Sequence, residues 1–420
     1  MHPAFKLPVL LDHHRVAEEA FRPCISHRAG GRSHPTALVP TVSFVPHFNR
    51  LADERSPLLR HFENLLAPKS RGELESIVSE AQHKTRQNFG KTMRLFAPLY
   101  LSNECVNNCT YCGFSRDNTD ILRVTLDIPQ VVAEAKHLAD QGFRHILLVA
   151  GEHPKFVSNG YLEKCIRALK TFIPTIALEV GPMEADDYQR MVEAGCEGLV
   201  VYQETYDRET YKELHTAGPK KNFDWRLECP ERAYEGGFRR VGIGALFGLA
   251  DWRIEALGLA AHLEYLMRTC WKASYTISFP RMRPHAGEYQ PKYQLEDPDF
   301  VQLIAVFRLC FPEVGIVLST REPAELRDSI ASLGITSMSA GSHTEPGGYT
   351  GQGTDDLHLT VRGRREEIDE SSSDGCERAT EQFGIADERT PEEVADMLRA
   401  QGLDPVWKDW DEAILTPAYS

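Results

Sequence analysis

Three cysteines fall within eight positions, Cys105, Cys109 and Cys112, spaced C-x3-C-x2-C with Tyr111 immediately before the third. Thiolates are soft ligands, and three of them on a tight loop can hold three irons of a [4Fe–4S] cluster. The fourth iron is then left without a protein ligand. A four-iron cluster closed by four cysteines carries electrons, whereas an open iron can bind a substrate or cofactor, so this spacing points to chemistry. Two alternatives compete: a zinc site with a distant fourth ligand, and three structural thiols. Zinc sites more often pair C-x2-C with a second such pair, and none follows here. With ten cysteines in 420 residues, a chance grouping this tight is rare.

A loop of this kind needs a rigid support. Eight short β-branched and apolar runs follow one another along the chain: 95–101, 145–150, 175–180, 198–203, 241–246, 274–279, 315–320 and 335–340. Helical patterns lie between them, among them 129–141, 161–171, 184–194, 254–269, 297–310 and 322–332, and an amphipathic helix over 71–89 precedes them. This alternation predicts an α/β protein with a (β/α)8 TIM-type barrel over residues 95–350. An irregular N-terminal extension (1–50) and a helical segment (51–94) come before it. A polar, Ser-rich and flexible insertion (351–390) and a C-terminal helix with a Trp-containing tail (391–420) follow. In such barrels the chemistry sits at the C-terminal ends of the strands. The cysteine loop follows the first run and Glu152 the second. Glu179 ends the third, Glu204 follows the fourth, Arg321 follows the seventh, and Ser339 lies near the end of the eighth.

Bulk properties narrow the class. The net charge of −14 disfavours broad nonspecific binding to nucleic acid. There is no run of 18 apolar residues, so no membrane span is expected. The other cysteines (24, 165, 196, 229, 270, 310 and 376) lack pairing spacings, which fits a reducing, cytoplasmic compartment. Residues 20–52 carry Arg and no Asp or Glu, faintly like an organelle transit segment, whereas Asp12, Glu18 and Glu19 argue against one.

The segment Cys105–Phe114 resembles the signature of the radical S-adenosylmethionine (radical SAM) superfamily. There the open iron binds the methionyl amine and carboxylate of SAM, and one electron releases a 5′-deoxyadenosyl radical. The resemblance extends further. PLYLSNECVNNCTYCGFS, LLVAGEH, VYQETY, DWRLE, VGIGALFGL, SFPRMRP, LSTRE, EPGGY and PVWKDWD, in order from about Gly72 to Glu412, are similar to the 2-iminoacetate synthase family. These are the tyrosine lyases of thiamine thiazole biosynthesis. That resemblance implies cleavage of the Cα–Cβ bond of L-tyrosine to 2-iminoacetate and p-cresol. It also implies thiazole synthase as a partner and a flavodoxin- or ferredoxin-type electron donor. The tyrosine lyase of [FeFe]-hydrogenase maturation is the nearest rival. It carries a second cluster on a Cys-rich C-terminal extension, whereas here only Cys376 lies beyond Cys310. Tryptophan lyases of similar build, and a noncatalytic iron–sulfur or zinc scaffold that docks thiazole synthase, are further alternatives.

The resemblance also implies roles for single residues. Cys105, Cys109 and Cys112 are cluster ligands, and Tyr111 lies near the adenine or simply fills space. Ala150-Gly151-Glu152 resembles the strand end that receives the SAM amino group: Gly permits close approach and a carboxylate suits an ammonium. The family's wider pattern has Gly where this chain has Ala150. Glu179 and Gln203-Glu204 point to ribose hydroxyls or the SAM ammonium, with surface ion pairing as the competing reading. Arg321 resembles the arginine that clamps the substrate carboxylate, for which a guanidinium fork is suited and Lys is not. Ser339 resembles the residue that contacts the substrate amine, and Tyr100 is a candidate for the substrate-side wall. His153, His285 and His343 are given no role.

Overall fold

The computed structural model describes residues 44–51, 54–287, 289–361, 364–366 and 378–407. Most of the expected N-terminal extension, Cys24, Cys376, Trp410 and the last residues of the tail lie outside these. Residues 44–50, the described end of that extension, form a short helix whose Phe44 ring stacks on His262 at 4.7 Å.

Eight parallel strands close on themselves: β1 (Thr92–Ser102), β2 (His145–Ala150), β3 (Thr175–Glu179), β4 (Gly198–Glu204), β5 (Arg240–Ala245), β6 (Ser274–Ser278), β7 (Gly315–Leu318) and β8 (Ser337–Ser339). Closure is direct, since Arg94, Leu95 and Phe96 of β1 pair with Ser337, Met338 and Ser339 of β8. A ninth strand, Asp404–Val406, pairs with the start of β1. The expected (β/α)8 barrel is therefore present.

The sequence periodicities translate into this architecture by simple rules. The helix Arg71–Phe89 starts at a capping box made by Ser70 and Glu73 and stops at Gly90, whose φ is 62°. It buries Leu74, Val78, Ala81 and Thr85, a stripe with helical spacing. Inside the barrel, alternate residues of neighbouring strands meet: Phe96 and Tyr100 of β1, Leu147 and Val149 of β2, Ala177 of β3 and Val200 of β4. The larger apolar core lies outside the barrel, between strands and helices.

Two barrel strands are irregular at their C-terminal ends. The β1–β2 register shifts between Tyr100 and Ser102, and the β4–β5 register shifts between Tyr202 and Glu204. Bulges at strand ends re-aim side chains beside functional sites. Glu204 is also the sole non-glycine residue with positive φ, 71°, among the described residues.

The stretch between β4 and β5 builds a brace. It holds the helix Arg208–Leu214 and a short strand, His215–Ala217, antiparallel to Asn108–Cys109 of the cysteine loop. The helices Phe223–Leu227 and Cys229–Glu235 follow. No helix among the described residues is long and apolar enough to cross a membrane.

Candidate active site

The cysteine loop leaves β1 at the C-terminal mouth of the barrel and is held from several sides. Arg123 is fully buried and donates to the carbonyls of Asn103 (2.6 Å), Phe114 (3.2 Å), Ser115 (2.8 Å) and Asn118 (3.2 Å). One guanidinium thus fixes both ends of the loop. Asn107 donates to Glu152 Oε2 at 2.7 Å and accepts from the Lys220 backbone N–H at 2.9 Å. The Val106 N–H donates to the Glu152 carbonyl at 2.8 Å. Glu104 is buried beside the loop and bonded to His358 at 2.7 Å and Thr360 at 3.0 Å.

Cys109 is buried, and Cys105 and Cys112 are half-buried. Burial pushes the Cys105 and Cys109 thiols up, and the other two sulfurs of the loop add to the rise at Cys109. The thiols therefore feel one another across the loop, and a bound cation would reverse that repulsion. Amide donors face two of them: Asn107 Nδ2 is 3.7 Å from Cys105 Sγ, and Gln382 Nε2 is 3.8 Å from Cys112 Sγ. Among the described residues, no three His, Cys, Asp or Glu groups are arranged to hold a single metal ion. A cluster that takes each thiolate on a different iron does not need that convergence, so the donor set fits a [4Fe–4S] group.

Gly151 packs against the cysteine loop. A Cβ there would lie 2.3 Å from the Glu104 carbonyl oxygen, so the space that Gly151 leaves is filled by the cysteine loop. Its N–H donates to the Ser102 carbonyl at 3.0 Å. Glu152 lies against Gly181 and braces the loop through Asn107.

Beside the loop, Glu204 is buried and paired with Lys220 at 2.7 Å and Arg226 at 3.4 Å. Burial would raise its pKa, but the two cations outweigh it and hold the carboxyl below its ordinary value. Arg226, from the DWRLE motif, also donates to the Tyr202 carbonyl at 2.6 Å. Tyr111 is buried with its hydroxyl 2.7 Å from His215 Nε2, while His215 Nδ1 lies 2.7 Å from the Tyr211 carbonyl. Burial, with Lys220 nearby, pushes the His215 pKa down to about 3, so its ring is neutral. A carbonyl only accepts, so Nδ1 carries the proton and Nε2 accepts from Tyr111.

Two adjoining cavities open from this mouth. The outer one is lined by Tyr111, Cys112, Glu204, Lys220, Arg283 and Gln382. The inner one, about 80 Å³, reaches Tyr100, Thr320, Ser339 and Ser342. Glu179, Tyr202, Arg321 and Phe383 line both. Burial raises the Glu179 pKa to about 7; Glu204 adds to the rise and Arg321 opposes it. The Arg321 guanidinium lies over the Phe383 ring, 3.3 Å from its centroid, and makes no ion pair among the described residues. Ser339 Oγ accepts from the Thr320 N–H at 3.0 Å, leaving its own proton to donate. A larger cavity, about 390 Å³, opens at the opposite end of the barrel among the first residues of the strands. It holds none of the eleven candidate site residues, and catalysis in these barrels belongs to the other face.

All eleven candidate residues therefore lie at the C-terminal half of the barrel or on the loop above it. Sequence reasoning missed Lys220, Asn107, Gln382 and Phe383. The last two fall within the expected 351–390 insertion, yet 380–387 crosses the barrel mouth. Its backbone bonds to Leu122, Thr344, Gly113, Pro284 and Thr320. A Cβ on Gly113 would lie 2.6 Å from the Gln382 carbonyl, so this segment packs directly on the cysteine loop. The motif-rich stretch around DWRLE was the available signal for the brace that carries Lys220.

A closed (β/α)8 barrel with a three-cysteine loop after its first strand is the architecture of radical SAM enzymes. The radical SAM superfamily model matches residues 99–258, and the Biotin and Thiamin Synthesis associated domain matches 278–404. The 2-iminoacetate synthase of Escherichia coli (strain K12) is 42% identical over 348 residues, 83% of this chain and 86% of the relative. That of Salmonella typhimurium is 40% identical over the same shares. The crystal structure of the FeFe-hydrogenase maturase HydG from Carboxydothermus hydrogenoformans superposes with a TM-score of 0.74 at 35% identity, over 87% of this chain and 80% of that one. The chain belongs to the 2-iminoacetate synthase family of radical SAM lyases, and that superfamily implies a [4Fe–4S] cluster and SAM.

Proposed function

We propose that this enzyme cleaves the Cα–Cβ bond of L-tyrosine to 2-iminoacetate and p-cresol, consuming SAM to 5′-deoxyadenosine and methionine. The balance takes two electrons per turnover from a flavodoxin- or ferredoxin-type donor, one to cleave SAM and one, with a proton, to take the 4-hydroxybenzyl fragment to p-cresol. The observation that carries this reading is the shared wall: Glu179, Tyr202, Arg321 and Phe383 line both the cavity beside Cys112 and the cavity beneath it. Two ligands can thus lie in contact, one against the cysteine loop and one in the barrel.

Cys105, Cys109 and Cys112 hold the cluster in this reading. When bound, cluster and SAM together supply a 5′-deoxyadenosyl radical, which is the cofactor's own chemistry. The chain's residues bind and orient. Arg321 presents a desolvated guanidinium to the tyrosine carboxylate, its face covered by Phe383. Ser339 and Glu179 face the amine, the carboxyl being half ionised near neutral pH. Tyr100 forms the wall toward Cys112. Tyr111, fixed by His215, and Glu204, fixed by Lys220, line the SAM side, while Gly151 and Glu152 hold the loop that carries the thiols. Closing the mouth with 380–387 shields a reactive intermediate from water.

2-Iminoacetate hydrolyses readily, which fits direct delivery to thiazole synthase and a role in thiamine formation. The scattered described cysteines are all free thiols, which fits a reducing cytoplasmic setting. The test is anaerobic turnover of reduced, reconstituted protein with SAM and either L-tyrosine or L-tryptophan. p-Cresol and glyoxylate (the hydrolysis product of 2-iminoacetate) from tyrosine support the reading. Cyanide or carbon monoxide would assign a maturase-type lyase, and turnover of tryptophan alone would sink the substrate.

A further inference from the structure

We propose that Gln382 is a positioning residue that links the cluster's Cys112 sulfur to the substrate cavity and sets the cluster's reduction potential. The inference rests on the cluster reading above. Gln382 stands 270 residues beyond Cys112 in sequence, yet its side chain bridges two groups at the mouth. Its Oε1 accepts from the Tyr100 hydroxyl at 2.8 Å, and its Nε2 lies 3.8 Å from Cys112 Sγ. The chemistry of the two partners fixes the amide. Burial keeps the Tyr100 hydroxyl protonated, so it has a hydrogen to give, and a ligating sulfur only accepts. The carbonyl end therefore faces Tyr100 and the NH2 end faces sulfur.

The backbone of Gln382 is equally constrained. Its N–H donates to the Thr344 carbonyl at 3.0 Å, and its carbonyl accepts from the Gly113 N–H at 3.2 Å. No side chain fits at Gly113 because this carbonyl occupies the space. The bridging side chain thus hangs from an anchored main chain, and the next residue, Phe383, supports Arg321 in the same cavity wall.

An N–H donor to a ligating sulfur stabilises the additional negative charge of the reduced cluster and raises its potential. Because the same amide accepts from Tyr100, a ligand that enters the inner cavity and engages Tyr100 alters the donor facing Cys112. The potential of the cluster then reports whether the substrate is in place.

The experiment is an EPR-monitored redox titration of anaerobically reconstituted wild-type, Gln382→Leu and Tyr100→Phe proteins at matched iron and sulfide content. Each is titrated with and without L-tyrosine. The expected result is a more negative midpoint for Q382L and a smaller shift in the same direction for Y100F. L-Tyrosine moves the wild-type midpoint and leaves that of Q382L in place. Y100F keeps the anchored backbone and the amide, so it still reads the link if Q382L folds poorly. Equal midpoints for all three proteins, each carrying a full cluster, overturn the inference and leave the proposed function standing. A wild-type protein with no [4Fe–4S] signal overturns the cluster reading and takes this inference with it.

Discussion

The two sides of the barrel mouth are built on different principles. The cysteine-loop side takes its key donors from eight consecutive positions and then spends many long-range bonds to hold them: Arg123 on four carbonyls, Asn107 between Glu152 and Lys220, and Tyr111 on His215. The side proposed to hold the substrate takes single residues from distant strands: Tyr100 from β1, Glu179 from β3, Arg321 after β7 and Ser339 from β8. There each group is placed by the barrel itself and needs little further bonding. A metal cluster demands several ligands at fixed separations, so its loop must be stiffened. A carboxylate clamp demands one well-placed guanidinium, which strand geometry supplies.

If the two sides are separable in this way, substitutions separate them too. Replacing Cys109 by Ala is expected to have the largest effect. Iron content falls below what a four-iron cluster needs, and SAM cleavage drops to background. Full cluster content in C109A would remove the basis of the comparison. Arg123→Met comes next. It strands four carbonyls in a buried site, at roughly 1–3 kcal/mol for each unsatisfied group. Thermal melts of the apoprotein should show clear destabilisation, and iron analysis a loss of cluster retention, with Arg321 untouched. An unchanged melting temperature would show that the loop is held in some other way.

Arg321→Lys tests the opposite side. The expected result is a rise in the KM for L-tyrosine of about a hundredfold, roughly 3 kcal/mol, with SAM affinity and iron content kept. Parallel loss of SAM binding would mean that the two sides are not separable. A smaller, pH-dependent effect belongs to Glu179, which lines both cavities. Its folded-state pKa of about 7 lies above the ordinary carboxylate value. Below pH 7 it is neutral, so binding of an amine ligand should strengthen as pH rises through 7, and Glu179→Gln should flatten that rise. Folding carries the opposite sign: the raised pKa costs stability as pH climbs from the ordinary carboxylate range to about 7.

The smallest expected effect lies outside the two cavities, where Glu255 is buried with Thr205 and the Tyr206 N–H as donors and its pKa is raised by burial to about 8. Its contribution is fully present below the unfolded carboxylate pKa and is lost as pH rises through 8. Glu255→Gln should therefore flatten the alkaline side of the stability curve and leave kcat/KM at neutral pH within a fewfold of wild type.

Legibility in the sequence followed the same division. The three cysteines and the barrel were legible because both are local signals, a spacing and an alternation of periods. Arg321 and Ser339 were reachable because a barrel puts strand ends together. The brace was not, since Asn107 and Lys220 meet only after an irregular stretch of short helices, and Tyr100 meets Gln382 across 282 residues. The segment holding Gln382 is polar and follows a charged, Ser-rich run, so composition pointed to solvent. Its many backbone bonds to the mouth leave no trace in periodicity. Gly151 shows a further limit. Its need for space was readable, but whether ligand or backbone fills that space was not.

The most direct test of the account is to quantify 5′-deoxyadenosine and p-cresol together, in one anaerobic turnover with L-tyrosine, for the wild type and for Arg321→Gln. The account predicts near-equal amounts of both in the wild type. In the variant, p-cresol should fall at least tenfold while 5′-deoxyadenosine continues to form. Loss of both products in step from a fully loaded variant, or p-cresol formation untouched by the substitution, would contradict it.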